Sequence, residues 1–569
     1  MNCKAPWLKY YNGIRQSLDY PDVTLFKAVF DIAEKYPDNT ALLYMGKAVS
    51  YKEFTQNVNV VRCMLEDIGV KHGDRVAVCL PNIPQAVYLL YACDMMGAVA
   101  SFLHPLSAVG EFCKYITELE AEFVFALDIH KEIFCDVFSQ IGTKTVVFTS
   151  AADELGIVKR LGYAFSQRKK SASNVQFEKS CCWRELVQKA RKNKRAADFV
   201  FYEKSADDTS VVLFSGGTTG EPKGVMLSSK GLNAMAWQTV EMSHCDVRGK
   251  LMLAAMPMFH GFGLGVCVHT ALIHGAVCIL VPRFTVKEYA KLIKKHRPNF
   301  IAGVPTLFEA LLREDELQNV DLSCLSGVFS GGDSLPVELK KKFDGFLKSH
   351  GASVRIREGY GATECVTASC LTPYNIEREG SIGIPFPDTF YKICKASTTQ
   401  ELPFGEEGEI CIHGPAIMKG YLNSPEETEK VLRLHDDGLV WLHTGDIGVI
   451  DEDGFVYFKS RIKRIIVSRG YNVYPQNIER ILDAHPAVKR SCVVGVSDSY
   501  KMQSVKAFVV LHQKADDKEK LRAEISGYCR QHIARYAIPS EIEFVDSLPT
   551  TKAGKVDYKK LEELSASVE

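Results

Sequence analysis

The sequence of 569 residues has no excess of charge of either sign, because 69 Lys and Arg residues balance 69 Asp and Glu residues. A balanced chain gives no indication of nucleic acid binding, which usually needs a basic surface. Long apolar runs are also missing, and the longest stretch, residues 263–281, contains His269 and His274. We therefore predict a buried helix followed by a buried strand here, not a membrane span.

The 18 cysteines are not arranged for metal binding. No Cys-x-x-Cys pair and no Cys and His spacing typical of zinc sites occurs in the sequence. The N-terminus also lacks the basic and then apolar pattern of a secretory signal. These absences predict a cytoplasmic protein with reduced thiols, most of them buried.

Helical patterns alternate with short apolar strands over the first 150 residues and again from about 208 to 395. For example, residues 75–80 are predicted to form a strand and residues 85–96 the helix after it. This alternation is typical of the α/β class, with parallel-rich sheets covered by helices. Short strands near 407–413 and 454–458 predict a small antiparallel unit at the end of a large N-terminal domain, residues 1–460.

The last hundred residues have a different pattern. Helices are predicted at 476–484 and 518–533, and strands at 491–496, 506–511 and 541–545. These elements predict a compact α+β domain of about 105 residues, which is enough to fold alone. The sequence gives no indication of the oligomeric state.

Residues 159–195 are strongly basic, with 12 Lys and Arg against 2 acidic residues, a net charge of 12 − 2 = +10. One interpretation is a surface element that makes weak peripheral contact with anionic lipid or with an acidic partner. The other is a solvated insertion between core strands. We favour the insertion, because runs of charge are usually simply solvated.

A glycine-rich loop follows the apolar residues 211–214. Residues 215–224 read SGGTTGEPKG, and such a loop offers free backbone N–H groups, hydroxyl groups and the Lys223 ammonium to a phosphate. The common nucleotide pattern Gly-x-x-x-x-Gly-Lys-Ser/Thr is absent, which argues against a kinase or ATPase of that type.

In this loop the sequence resembles the adenylate-forming superfamily, which comprises acyl-CoA synthetases, peptide-synthetase adenylation domains and firefly luciferases. The resemblance extends from about Tyr20 to Leu561, and Gly216 replaces a hydroxyl residue that is usual in the family. It implies that the loop binds the ATP phosphates through Ser215, Gly216, Gly217, Thr218, Thr219, Gly220 and Lys223.

Further segments match the family in the same order. They are residues 257–263 (PMFHGFG), 330–336 (SGGDSLP), 358–364 (EGYGATE), 441–446 (WLHTGD), 470–475 (GYNVYP) and 548–555 (LPTTKAGK). By resemblance, the nucleotide site also includes Gly332, Asp333, Glu358, Gly359, Tyr360, Gly361, Asp446 and Arg461. The acyl pocket is assigned to His260, Gly331 and Gly332.

The resemblance assigns the chemistry to Lys555, Thr363 and Glu364. An ammonium such as that of Lys555 stabilises the negative charge that develops at the α-phosphate. Glu364 is a hard oxygen ligand suited to Mg²⁺. Asp446 is suited to two ribose hydroxyls, and Tyr360 offers a flat face to adenine.

The resemblance also implies that the C-terminal domain, residues 464–569, is a mobile lid. It would turn about a hinge at 461–463, with Lys463 as the pivot, and bring Gly470 to coenzyme A. The implied reaction is ATP-dependent activation of a carboxylic acid to acyl-AMP, followed by thioester formation with coenzyme A. ATP, Mg²⁺ and coenzyme A are the expected cofactors and cosubstrates.

A fatty acid is the favoured substrate. Residues 256–261 (MPMFHG) contain no acid to hold an amino group, and burying an unpaired ammonium is costly. Residues 282–286 and 303–308 look most like fatty-acyl synthetases. Three alternatives stay open: an aromatic acid, transfer to the thiol of an acyl carrier protein, and a non-catalytic nucleotide-binding scaffold.

Overall fold

Four β-sheets organise this computed structural model. It describes residues 5–142, 144–156, 179–215, 223–464, 466–468, 471–473, 475–498, 502–533, 537–551 and 555–566. Two sheets, of nine and eight strands, are mainly parallel, and two smaller sheets have five strands each. The prediction of an α/β fold with a small antiparallel unit and an α+β C-terminal part is confirmed.

The nine-stranded sheet has a parallel centre of six strands with antiparallel strands at its edges. In spatial order its strands are Ile384–Pro385, Cys370–Leu371, Ile356–Tyr360, Gly327–Ser330, Phe300–Gly303, Leu251–Ala254, Val277–Leu280, Thr40–Tyr44 and Lys47–Ser50. Most residues of the parallel strands are apolar, because both faces of the sheet are covered.

The eight-stranded sheet is also parallel except at one edge, where the last two strands are joined by antiparallel pairing. In spatial order its strands are Gly420–Tyr421, Gly224–Ser228, Thr209–Phe214, Val99–Phe102, Arg75–Cys79, Phe123–Leu127, Thr145–Thr149 and Ser180–Cys182. One continuous apolar core includes residues of both large sheets.

Helices cover the sheets and fill the space beside them. Within the described ranges, the α-helices are Leu25–Lys35, Tyr51–Asp67, Pro84–Met96, Val109–Glu118, Lys131–Ile141, Trp183–Arg191, Ser229–Ser243, Thr270–Ile273, Val286–His296, Pro305–Leu311, Val337–Ser349, Pro425–Val431, Pro475–Asp483, Lys518–His532 and Tyr558–Ala566. Every residue of Pro84–Met96 is buried, so that helix carries no polar face.

The apolar stretch 263–281 has the predicted form. A π-helical segment, Phe262–His269, continues into Thr270–Ile273, and the strand Val277–Leu280 follows. His269 is fully buried and its ring nitrogens lie 3.1 Å from the Tyr91 hydroxyl and 3.0 Å from Asn233 Oδ1. No helix within the described residues is long and apolar enough to cross a bilayer.

The antiparallel sheet and the C-terminal sheet meet near the predicted boundary. The antiparallel sheet contains Phe390–Cys394, Gly408–His413, Val440–Ile450, Leu432–Leu434 and Val456–Arg461. The C-terminal sheet contains Tyr471–Val473, Ile466–Ser468, Met502–Leu511, Val488–Asp498 and Glu541–Phe544. A short 3₁₀ turn, Ile462–Arg464, joins them, and the division into domains at this turn stays a prediction.

The interpretation of residues 159–195 as a solvated insertion is wrong for residues 179–195; residues 157–178 lie outside the described residues. Ser180–Cys182 is the edge strand of the eight-stranded sheet, and Trp183 is only 1% exposed. Arg195 pairs with Asp67 at 2.6 Å. Basic side chains obscured this pattern in the sequence, because only one face of Trp183–Arg191 is buried.

Candidate active site

Most of the predicted motifs converge on one cavity. Ser215, the segment 331–336 and Glu364 each follow shortly after a strand of the large sheets. The carboxyl ends of parallel strands are the usual ligand-binding edge of an α/β sheet. The cavity has a volume of about 3530 Å³, and Asp446 and Lys555 also line it. It is large enough for a nucleotide and a second substrate.

The phosphate loop is described only at its two ends. The Ser215 N–H donates to the Lys223 carbonyl at 2.9 Å, which closes the base of the loop. The Lys223 ammonium forms an ion pair with Glu427 and lies 4.8 Å from the centre of the Tyr421 ring. The lysine assigned to the phosphates is therefore paired with a carboxylate in this structure.

Asp446 lies at the centre of a buried polar cluster. It is 1% exposed, and the Tyr360 hydroxyl donates to its Oδ2 at 2.6 Å. Arg461 Nε lies 3.1 Å from Oδ1. Burial raises the pKa of Asp446, although Arg461 and Tyr360 oppose the shift. Tyr360, predicted as a stacking surface for adenine, thus also orients the carboxylate assigned to the ribose.

Glu364 is held in place by main-chain and side-chain contacts. The Tyr421 hydroxyl donates to Glu364 Oε1 at 2.9 Å, and the Met418 N–H donates to the Glu364 carbonyl at 2.9 Å. In the described parts of the chain no group of three or more His, Cys, Asp or Glu side chains forms a metal cage. One fixed carboxylate fits Mg²⁺ that arrives with ATP phosphates. Thr363 lines the same cavity.

The backbone of the segment 331–336 is held by a buried glutamate. Glu358 Oε1 accepts a hydrogen bond from the Leu335 N–H at 2.9 Å, and burial raises the pKa of Glu358 to about 8. Gly332 has a left-handed φ of +82°, which favours glycine. The Asp333 carboxylate lies 3.7 Å from Arg490 of the C-terminal sheet. Asp333 therefore links the segment 331–336 to the C-terminal domain through a side-chain contact.

Lys555 enters the cavity from the C-terminal domain. A Cβ atom on Gly332 would lie 3.8 Å from Lys555 Cε, so the lysine lies beside the segment 331–336. A turn holds its backbone, in which the Thr551 N–H donates to the Lys555 carbonyl at 2.7 Å. The surrounding protein and then Arg461 lower the pKa of Lys555, while water still reaches its side chain.

His260 lies on the acyl side of the cavity. Its pKa is lowered to about 4, by burial first and then by Lys555 and His104, so the imidazole is neutral near pH 7. Apolar side chains line the cavity with it, among them Phe259, Val281 and Leu307.

The remaining predicted residues of the loops fall into two groups. Gly331, Gly359 and Gly361 line the cavity, and a Cβ atom on Gly361 would lie 1.9 Å from the Thr367 carbonyl oxygen. Gly216, Gly217, Thr218, Thr219, Gly220 and Gly470 lie outside the described residues. Lys463 lies in the turn Ile462–Arg464, and only its backbone is described.

Sequence reasoning missed two side chains that hold the predicted ones. Tyr421 and Glu427 contact Glu364 and Lys223 respectively. The only local signal was the run 420–427 (GYLNSPEE), in which Pro425 marks the start of a helix. That signal predicts a helix, but it gives no indication of which side chains Tyr421 and Glu427 contact.

The arrangement can bind a nucleotide and polarise it. The carboxylates of Asp446 and Glu364 line the cavity together with Lys223 and Lys555, and an apolar wall lies beside them. Such a site can orient a carboxylic acid toward a phosphate without covalent help from the protein.

Comparisons with known proteins agree with this geometry. Residues 29–422 match the family model described as AMP-binding enzyme, and residues 477–555 match the AMP-binding enzyme C-terminal domain. The chain is 35% identical to a long-chain-fatty-acid–CoA ligase of Bacillus subtilis, over 99% of this chain and 98% of the relative.

Two further similarities span nearly the whole chain. A probable 4-coumarate–CoA ligase 1 of Dictyostelium discoideum is 28% identical, over 99% of each chain. A solved structure of the o-succinylbenzoate coenzyme A synthetase of Bacillus subtilis, in complex with ATP and magnesium ion, is 25% identical with a TM-score of 0.74. That match covers 95% of this chain and 100% of the other.

Proposed function

The chain belongs to the AMP-binding enzyme family, and on that basis we propose that this acyl-CoA synthetase activates a fatty acid as its acyl-adenylate and transfers it to coenzyme A. The observation that carries the proposal is the single cavity in which Asp446, Glu364 and Lys555 lie with the apolar wall beside His260. The enzyme uses ATP, Mg²⁺ and coenzyme A.

In the first half-reaction the substrate carboxylate attacks the α-phosphorus of ATP. A bond forms between the carboxylate oxygen and phosphorus, the bond to the β-phosphate oxygen breaks, and pyrophosphate leaves. Lys555 and Thr363 would stabilise the charge that develops on the α-phosphate. Glu364 would hold Mg²⁺, which would neutralise phosphate charge when bound.

In the second half-reaction the thiol of coenzyme A attacks the acyl carbon. The carbon–sulfur bond forms, the carbon–oxygen bond to AMP breaks, and the thiol proton is released. We propose that the C-terminal domain turns about Lys463 between the two steps, which withdraws Lys555 and brings Gly470 forward. The contact of Asp333 with Arg490 would then break, because these residues belong to opposite sides of the turn.

The apolar wall supports an aliphatic acid. Phe259, Val281 and Leu307 would contact a hydrocarbon chain, while neutral His260 adds no buried charge to the pocket. The similarity to a long-chain-fatty-acid–CoA ligase also favours a fatty acid. An aromatic acid is the second candidate, because the chain also resembles a probable 4-coumarate–CoA ligase.

Acid-dependent release of pyrophosphate tests the proposal directly. Purified protein with MgATP is offered fatty acids of increasing chain length, 4-coumarate, and amino acids. We expect release with fatty acids, and thioester formation with coenzyme A in preference to a carrier-protein thiol. Preference for 4-coumarate would overturn the substrate assignment, and no release with any acid would favour a nucleotide-binding scaffold.

A further inference from the structure

Asp446 lies on a bulge between two strands of the antiparallel sheet. Glu409 is paired with Ile447 and Cys411 with His443. The single residue Ile410 on one strand therefore faces three residues, 444–446, on the other. Gly445 has a left-handed φ of +70° within this bulge. Bulges re-aim side chains and are common beside active sites, and here the bulge directs Asp446 into the cavity.

The Glu409 carboxylate holds the backbone of this bulge. Glu409 is 4% exposed, and its Oε1 accepts a hydrogen bond from the Gly445 N–H at 3.0 Å. The bulge is also held by the Thr444 hydroxyl, which donates to the Ile410 carbonyl at 2.8 Å and accepts from the Asp446 N–H at 3.1 Å. The residue before Asp446 is thus tied directly to a buried carboxylate.

Two histidines orient Glu409 in turn. Glu409 Oε2 lies 2.9 Å from His443 Nδ1, and His443 Nε2 lies 2.9 Å from His435 Nε2. Because an ionised carboxylate only accepts, His443 carries a proton on Nδ1. When His443 is neutral, its Nε2 accepts, and His435 donates from Nε2. Burial pushes the pKa of Glu409 upward, but His443 and the N–H groups of Ser397 and Gly445 outweigh it and lower that pKa overall.

We infer that Glu409 is a positioning residue for nucleoside binding, which sets the bulge 444–446 so that Asp446 meets the ribose hydroxyls of ATP. The inference rests on the proposed function, because it uses the assignment of Asp446 to the ribose. Glu409 itself touches no substrate atom in this scheme. It acts through the Gly445 N–H, and His443 and His435 keep its carboxylate in one orientation.

The test uses an ATP analogue that lacks the two ribose hydroxyl groups that Asp446 would hold. KM values for ATP and for 2′,3′-dideoxyATP are measured by acid-dependent pyrophosphate release in the full-length enzyme. In Glu409→Ala we expect KM for ATP to rise about tenfold, as expected for a lost hydrogen bond to a charged group. KM for 2′,3′-dideoxyATP and kcat should change less than about twofold.

Two further variants separate positioning from folding. Glu409→Asp keeps the charge but withdraws it by one methylene, so it should show the same selective rise if Glu409→Ala fails to fold. Glu409→Gln keeps an oxygen for the Gly445 N–H, because the histidine tautomers can reverse, and should restore most of the affinity for ATP. Glu407→Gln, on an exposed neighbour, is the matched control.

The outcomes distinguish this inference from the proposed function. If the wild-type enzyme did not discriminate between the two nucleotides, the ribose role of Asp446 and this inference would both fail. If Asp446→Ala removed the discrimination but the Glu409 variants weakened both nucleotides equally, only this inference would fail. A selective loss that Glu409→Gln restores supports it.

Discussion

The two ends of the cavity differ in how firmly their charged groups are held. At the proposed nucleoside end, Asp446 is 1% exposed and receives a hydrogen bond from Tyr360. At the proposed reacting end, water reaches Lys555, and Lys223 pairs with Glu427 on a short surface helix. The groups at the proposed nucleoside end are therefore preorganised for the nucleoside part of ATP, which does not react in the proposed mechanism. The groups at the proposed reacting end can exchange partners as phosphates arrive and leave.

This difference has an energetic meaning. A preorganised polar group in a buried site costs no rearrangement when the ligand binds, and its removal weakens binding directly. A group at the surface gains little from any one ion pair, so it can move between partners during the reaction. Substitutions at the two ends should therefore affect different kinetic constants.

The largest effect is expected at the reacting end. Lys555→Ala should lower the rate of adenylation by about 10²- to 10³-fold, because the developing charge on the α-phosphate loses its stabilising ammonium. Thioester formation from supplied acyl-adenylate should be nearly unchanged. Single-turnover assays of each half-reaction measure both steps, with Lys560→Ala as the control. Equal loss of both half-reactions would contradict the assignment of Lys555.

A substitution in the turn between the domains should have the opposite effect to Lys555→Ala, because it should impair the second half-reaction and spare the first. Lys463→Pro restricts φ at the proposed pivot, so thioester formation should fall at least about tenfold, or about 1.4 kcal/mol in barrier. Adenylation should be spared. The same two single-turnover assays apply, and an unchanged second step would refute a pivot at Lys463.

The nucleoside end should respond in KM. Tyr360→Phe removes a hydrogen bond to the buried Asp446 carboxylate, so we expect KM for ATP to rise about tenfold while KM for the fatty acid changes little. Tyr391→Phe is a matched control, since the Tyr391 hydroxyl contacts Ser369. Steady-state kinetics with each substrate varied in turn measures the effect, and a parallel rise in both KM values would contradict it.

The smallest effect is expected at Lys223. Glu427→Gln removes the carboxylate that competes with phosphate for this lysine, so KM for ATP should fall by about twofold to fivefold. Glu429→Gln lies on the same helix and serves as the control. A rise in KM for ATP in Glu427→Gln alone would indicate that Glu427 orients Lys223 for phosphate instead of competing with it.

Much of the fold and the choice of family could be predicted from local patterns. The strand at 75–79 and the helix at 84–96 follow from runs and periodicity that involve neighbours in the chain. The segment around Trp183 was misjudged, because its charge dominated the pattern. Its contacts also reach residues more than a hundred positions away: the exposed Arg191 side chain, for example, donates to Asn57 Oδ1 at 2.8 Å.

The sequence by itself determined which chemical groups the protein carries and in what order, from the glycine-rich loop to Lys555. Only the tertiary structure decided which of them meet. Lys223 and Glu427 are 204 residues apart, and Tyr360 and Asp446 are 86 apart. The physical reason is that hydrophobic periodicity specifies which face of an element is buried, whereas hydrogen-bond partners depend on how the buried elements pack.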